Sequence, residues 1–151
     1  KEMGLKIKKL SNSSYEIYCK TLKPIKKIST KEFPGYPTDL QAQLIATQLK
    51  SGLKSKVVEN IFENRFIHIP ELRRFGANLS IKGNTVTIDK TSNLLGAEVM
   101  ATDIRASFSL IIAAMMSKGK TVINRIYHLD RGYEDFDLKL KKCGVNISRK
   151  K

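Results

Sequence analysis

Tryptophan is absent from the 151 residues, cysteine occurs twice, proline four times, and aromatics make up only 7%. Two cysteines, Cys19 and Cys143, are too few for a disulfide scaffold and form no C-x-x-C pair, which fits a reducing, cytoplasmic setting. Long apolar runs are missing as well. The longest, Phe108 to Met116, is broken by Ser109 and falls well short of the roughly 18 residues of a membrane span. No membrane partner is expected. The opening Lys1-Glu2-Met3-Gly4-Leu5-Lys6 has neither the apolar core nor the small-residue cleavage site of a secretory leader. A start at Lys1 rather than methionine reads as a piece of a longer protein.

Acidic residues are scarce too, 14 against 28 lysines and arginines, for a net charge of +14. Such an excess suggests nucleic acid as a partner. Yet the lysines gather in 1–31 and at the two ends, and between Asn60 and Asn78 the basic residues are Arg65, Arg73 and Arg74. No basic run is interleaved with aromatics as a stacking platform requires. The charge therefore reads as a solvated face that attracts anions only secondarily, with no nucleic acid partner. What remains, 41% apolar and 28% charged residues, is ordinary for a globular domain of this length.

The chain repeats itself. Thr38-Asp39-Leu40-Gln41-Ala42 returns as Thr102-Asp103-Ile104-Arg105-Ala106, and Gly76-Ala77-Asn78-Leu79-Ser80 as Gly144-Val145-Asn146-Ile147-Ser148. Between them Val58 lies opposite Val122, Asn60 opposite Asn124, and Arg65 opposite Arg131. Thr38 and Gln41 form a T-x-x-Q capping box, followed by apolar residues at helical spacing and a stop at Gly52. Lys56 to Ile61 is strand-like, Pro70 opens a second helix that Gly76 ends, and Asn78–Ile81 with Thr85–Ile88 read as a hairpin. In the second unit a helix runs from Thr102 to Gly119, a strand over Thr121–Asn124, a helix from Tyr133 to Cys143, and a last strand over Val145–Ser148. Glu98-Val99-Met100 is an additional strand before it. The expected division is a tail of a preceding repeat over 1–33 and repeats over 34–90 and 91–151.

Four blocks carry a more specific signal: Pro37-Thr38-Asp39-Leu40-Gln41-Ala42-Gln43, Phe62-Glu63-Asn64-Arg65-Phe66 with Pro70-Glu71-Leu72, Ala101 to Ser107, and Arg125 to Glu134. In order and spacing they resemble the UDP-N-acetylglucosamine enolpyruvyl transferases of bacterial peptidoglycan synthesis, over nearly the whole chain from Gly4. The resemblance implies an inside-out α/β barrel lobe built from βαβαββ units, of which this chain holds about two of three. It implies transfer of the enolpyruvyl group of phosphoenolpyruvate to the 3′-hydroxyl of UDP-N-acetylglucosamine with release of phosphate, and no cofactor.

That reaction needs a base near the sugar hydroxyl, an acid for the methylene carbon, and cations for a phosphate and a carboxylate. By resemblance, Asp39 accepts the hydroxyl proton and holds the sugar, at a helix N-terminus that favours negative charge; the plain alternative is a residue that merely starts a helix. Arg131 and Arg105 resemble the phosphoenolpyruvate clamps, since a guanidinium grips an anion bidentately. Arg131 is expected at a helix start, where a cation opposes the dipole. Asp103 orients cations of the other lobe, and the Ile61 backbone with Glu63 and Arg65 contacts the uridine nucleotide, an internal ion pair being the alternative for the last two. The family's reactive cysteine, a lysine and a further arginine belong to an N-terminal lobe not found in this sequence, so the chain alone is expected to be inactive. Cys19 and Cys143 read as structural, Tyr127, Tyr133, Met115 and Met116 as core, and His68 and His128 as packing or surface residues without metal-ligand spacing. Two rivals remain: a transferase of the same fold acting on shikimate 3-phosphate, and a basic non-catalytic module that binds nucleic acid or protein.

Overall fold

The computed structural model describes residues 2–150, so Lys1 and Lys151, the outer ends of segments 1–33 and 91–151, lie outside it. Among the described residues the order is β1 (Lys6–Lys9), β2 (Tyr15–Tyr18), β3 (Lys27–Ser29), α1 (Gln41–Gln48), β4 (Ser55–Val58), α2 (Ile69–Arg74), β5 (Leu79–Lys82) and β6 (Thr85–Ile88). β7 (Glu98–Met100), α3 (Ile104–Met116), β8 (Val122–Asn124), α4 (Tyr127–Asp130) and α5 (Phe136–Lys142) follow. None of these helices is long and apolar enough to cross a membrane.

Two β-α-β crossovers organise the chain. β3 and β4 pair in parallel around α1, and β7 and β8 pair in parallel around α3. β6 adds to β4 and β5 to β6, both antiparallel, giving a sheet in the order β3-β4-β6-β5. β1 and β2 form a separate antiparallel hairpin. The apolar faces of α1 and α3 pack on each other, because both crossovers leave one helical stripe with nowhere else to go. Ile45, Val57, Ile69, Leu72, Phe75, Val86, Ile88 and Leu110 fill the core they share. A smaller cluster of Ile111, Leu129 and Phe136 seats α4 and α5 against α3.

Several sequence expectations change in detail. Pairing of β3 with β4 and of β7 with β8 equates Val58 with Asn124, not with Val122, since α3 is longer than α1. The capping box does not form: α1 starts at Gln41 behind a 3-10 turn, Thr38–Leu40, with no side-chain cap, because Thr38 and Gln41 both donate to Glu59 instead. The strand expected over 56–61 ends at Val58. The last helix starts at Phe136 rather than Tyr133, after the short α4. No strand forms over Val145–Ser148. Gly144 takes a left-handed φ of 88°, and the amides of Gly144 and Val145 bond back to Lys141 and Leu140, so the chain caps α5 instead. Tyr127 and Met115 are exposed rather than in the core and Cys143 is an exposed free thiol, whereas Tyr133 stacks on Phe108 and His68 is fully buried.

Candidate functional site

Pro37, in an extended conformation, feeds the 3-10 turn that presents Asp39 at the surface. The Tyr36 hydroxyl donates to the Leu40 carbonyl at 3.0 Å and pins that turn, and burial pushes its phenol up to about 12. Asp39 meets two guanidiniums. Arg65, from the loop after β4, donates through Nη2 to Oδ1 at 2.9 Å, and Arg105, in the first turn of α3, forms an ion pair with the same oxygen through Nε. The packing of α1 on α3 is what makes this contact, since Asp39 and Arg105 stand at matching ends of the two crossover helices. Oδ2 of Asp39 has no hydrogen-bond partner among the described residues. Arg65 also lies 4.8 Å over the Phe62 ring, which holds its planar group in place from the other side.

Asp103 has a local task. Its Oδ1 accepts from the amides of Arg105 at 2.7 Å and Ala106 at 2.9 Å, so it is the N-cap of α3 and aims the helix that carries Arg105. Arg131 is not at a helix start. It caps the C-terminal end of α4, where a cation suits the dipole, so its position carries no hint of a bound anion. It is exposed and forms no ion pair among the described residues. Its neighbour Gly132 packs tightly on α3: a Cβ there would lie 3.0 Å from Ile104 Cγ2. Arg131 is not part of the ion-pair cluster on Asp39 among the described residues. Glu63 is exposed and does not pair with Arg65.

Beside the cluster opens a groove of about 820 Å³, walled by the loop 59–67, Ile81 and the hairpin turn Gly83–Asn84. Asn64 supplies the left-handed bend of that loop at φ 53°, a conformation asparagine tolerates well. Exposed Phe62 and Ile81 give the groove an apolar wall. Arg65 belongs to both features, lining the groove and gripping Asp39. Such a space suits a ligand with a flat apolar part and a few polar groups.

Glu59 is the residue that sequence reasoning missed. It is 3% exposed, and five donors surround its carboxylate: Thr30, Thr38 and Gln41 side chains and the Ile61 and Phe62 amides. Burial pushes its carboxyl up, but the Ile61 amide, then Thr38, Thr30 and Phe62, outweigh it and leave the group below its ordinary value. The signal was there in the alternation: Ser55, Val57 and Glu59 share the buried parity of one strand. His68 is buried with both ring nitrogens unpaired among the described residues, and burial pushes its imidazole down to about 4, opposed by nearby Asp103. Among the described residues no three of His, Cys, Asp and Glu gather as metal ligands would.

A family model described as EPSP synthase (3-phosphoshikimate 1-carboxyvinyltransferase) matches residues 1–140. The UDP-N-acetylglucosamine 1-carboxyvinyltransferase of Pelagibacter ubique is 52% identical over 151 residues, covering 99% of this chain and 36% of that protein. That of Helicobacter hepaticus is 50% identical over 150 residues, covering 99% and 35%. That of Rhodopseudomonas palustris (strain TIE-1) is 57% identical over 122 residues, covering 81% and 28%. The chain thus spans about a third of the length of these curated relatives. Among solved structures, the enolpyruvyl transferase NikO from Streptomyces tendae superposes with a TM-score of 0.84 at 26% identity, covering 97% of this chain and 34% of that one. EPSP synthase from Acinetobacter baumannii gives 0.70 at 15% identity, covering 99% and 35%, a likeness of fold alone.

Proposed function

The chain belongs to the EPSP synthase (3-phosphoshikimate 1-carboxyvinyltransferase) family, and on that premise we propose that it forms part of a UDP-N-acetylglucosamine 1-carboxyvinyltransferase. The fold is that of the enolpyruvyl transferases. The full enzyme, of the relatives' length, moves the enolpyruvyl group of phosphoenolpyruvate to the sugar 3′-hydroxyl and releases phosphate. It works in the cytoplasm at the first committed step of peptidoglycan synthesis. The choice of acceptor is supported by relatives bearing that name at 50–57% identity over most of the chain.

Within this reading the residues divide the work. Asp39, with Oδ1 held by Arg65 and Arg105, uses its open Oδ2 to take the proton of the sugar hydroxyl as the oxygen adds to the substituted enol carbon. An acid on the other lobe protonates the methylene carbon, and loss of that proton with phosphate then restores the double bond. Arg105 and Arg131 hold the carboxylate and phosphate of phosphoenolpyruvate. The groove, the Ile61 backbone and Arg65 receive the uridine nucleotide, with Glu63 at its rim. Asp103 keeps α3 in place and turns its remaining oxygen to cations of the other lobe. The carrying observation is that Asp39, Arg65 and Arg105, from three separate sequence blocks, meet at one carboxylate oxygen.

The test is phosphate release by the full-length protein with phosphoenolpyruvate and either acceptor. Release is expected with UDP-N-acetylglucosamine and not with shikimate 3-phosphate; the reverse pattern overturns the assignment. Asp39→Asn removes the proton acceptor and is expected to lower kcat about 10²–10⁴-fold. Arg105→Lys, which cannot grip bidentately, is expected to raise KM for phosphoenolpyruvate about tenfold or more.

A further inference from the structure

We propose that Glu59 is a positioning residue for the sugar-nucleotide half of the site, one buried carboxylate that ties the turn bearing Asp39 to the loop bearing Ile61 and Arg65. The proposal rests on the enolpyruvyl transferase reading above. Oε1 accepts from the Thr30 hydroxyl at 2.8 Å, the Ile61 amide at 2.9 Å and the Phe62 amide at 3.2 Å. Oε2 accepts from the Thr38 hydroxyl at 2.8 Å and from Gln41 Nε2 at 3.5 Å. No ion pair to Glu59 exists among the described residues, so neutral donors alone hold the charge.

Such a carboxylate is stable only with its donors in place, because an unpaired buried charge is costly. The dependence runs both ways: the donors are fixed relative to each other by the one group they share. Thr38 adjoins Asp39 in the chain, and Ile61 and Phe62 begin the loop that ends in Arg65 and walls the groove. The network extends to the hairpin, since the Glu59 amide donates to the Asn84 carbonyl at 2.8 Å and Asn84 Nδ2 donates to Asn60 at 3.1 Å. The donors come from the end of β3, the turn before α1 and the first residue of α1, and the loop after β4. None comes from α3, which bears Arg105, or from α4, which Arg131 follows. The residues that would grip the sugar nucleotide therefore depend on Glu59 directly, and the phosphoenolpyruvate clamps only at one remove, through the ion pair of Arg105 with Asp39.

A merely structural residue would disturb both substrates alike, so the test is a split between two KM values in the full-length enzyme. Glu59→Gln turns one acceptor into a donor amid donors and is expected to raise KM for UDP-N-acetylglucosamine about tenfold, with KM for phosphoenolpyruvate within about twofold of the unaltered enzyme. Thr38→Val, which removes one donor without changing shape, is expected to act in the same direction, and Thr38→Ser to restore most of the lost affinity. Should Glu59→Gln fail to fold, the Thr38 pair decides. The proposal is overturned if both KM values rise in step, or if neither moves in a variant that folds. If the unaltered enzyme does not turn over this substrate pair, the functional reading fails and takes the proposal with it. If it does and the KM values do not split, only the proposal fails.

Discussion

His68 is a titratable group sealed inside the fold with no partner for either nitrogen among the described residues, and its cost is set by pH. In the unfolded chain an imidazole takes a proton near pH 6.5; in the folded protein burial holds this one down to about 4. Above pH 6.5 both states are neutral and the full stability is present. As the pH falls from 6.5 to 4 the unfolded chain binds a proton that the folded chain refuses, so stability drops, by up to about 3 kcal/mol across the window. Glu59, held below its ordinary value, adds a second loss as the pH falls further through its folded pKa. In full-length protein His68→Leu is expected to flatten the fall in urea midpoint between pH 7 and pH 4.5; parallel curves for variant and parent would contradict this. At this scale Asp39, Arg65 and Arg105 were legible because each sits in a block of several distinctive residues. Glu59 was not, because a carboxylate inside a strand-like stretch reads as solvent-facing unless its parity is followed. Arg131 was placed at the wrong helix end because α4, only four residues long, leaves no periodicity to read.

Among the elements, α3 shows how a local rule serves the site. Asp103 caps it through two amides, and the Arg105 amide is one of them, so the cap shares a turn with the guanidinium that meets Asp39. Asp103→Ala is expected to cost about 1 kcal/mol, the usual worth of an N-cap, whereas Asp103→Asn keeps the cap and costs little. If the second Asp103 oxygen also orients cations, the Asn variant loses turnover while keeping its melting temperature. Equal losses of both in the Ala and Asn variants would rule out the capping role. Gly96 marks the other tight junction, where the strand pair β7–β8 begins: a Cβ there would lie 2.1 Å from the Lys120 carbonyl oxygen. Backbone cannot yield as a flexible side chain does, so Gly96→Ala is expected to destabilise by about 1–3 kcal/mol in thermal melts, and an unchanged melt would refute the contact. Helices, hairpin and stop glycines were readable from period and turn chemistry. The capping box failed because a buried acceptor outcompeted the local one for Thr38 and Gln41. The strand expected over 145–148 failed because its first amide closes α5.

For the molecule as a whole, the helix of each crossover was visible in sequence because α1 and α3 bury apolar stripes on one another, which leaves a helical period in both. The register between repeats was not visible, since α3 gains its extra length without any marker that a short motif comparison can see. What the chain builds is one wall: Asp39 and Arg105 face outward with side chains about half exposed, Arg65 is a quarter exposed, and the groove beside them is open. Transfer between two bound substrates gains most of its rate from holding both in place, which one open wall does not do. The excess of 28 basic over 14 acidic residues can draw in anions without supplying that closure. The 151-residue segment by itself is therefore expected to release no phosphate above background and to bind UDP-N-acetylglucosamine at most weakly. Circular dichroism establishes first that the segment is folded, and the full-length protein at equal concentration serves as the positive reference. Adding the remaining polypeptide as a separate chain is expected to restore part of the turnover by re-forming the second wall. Phosphate release by the folded segment alone would show that one wall suffices, and would move the missing acid onto residues of this chain.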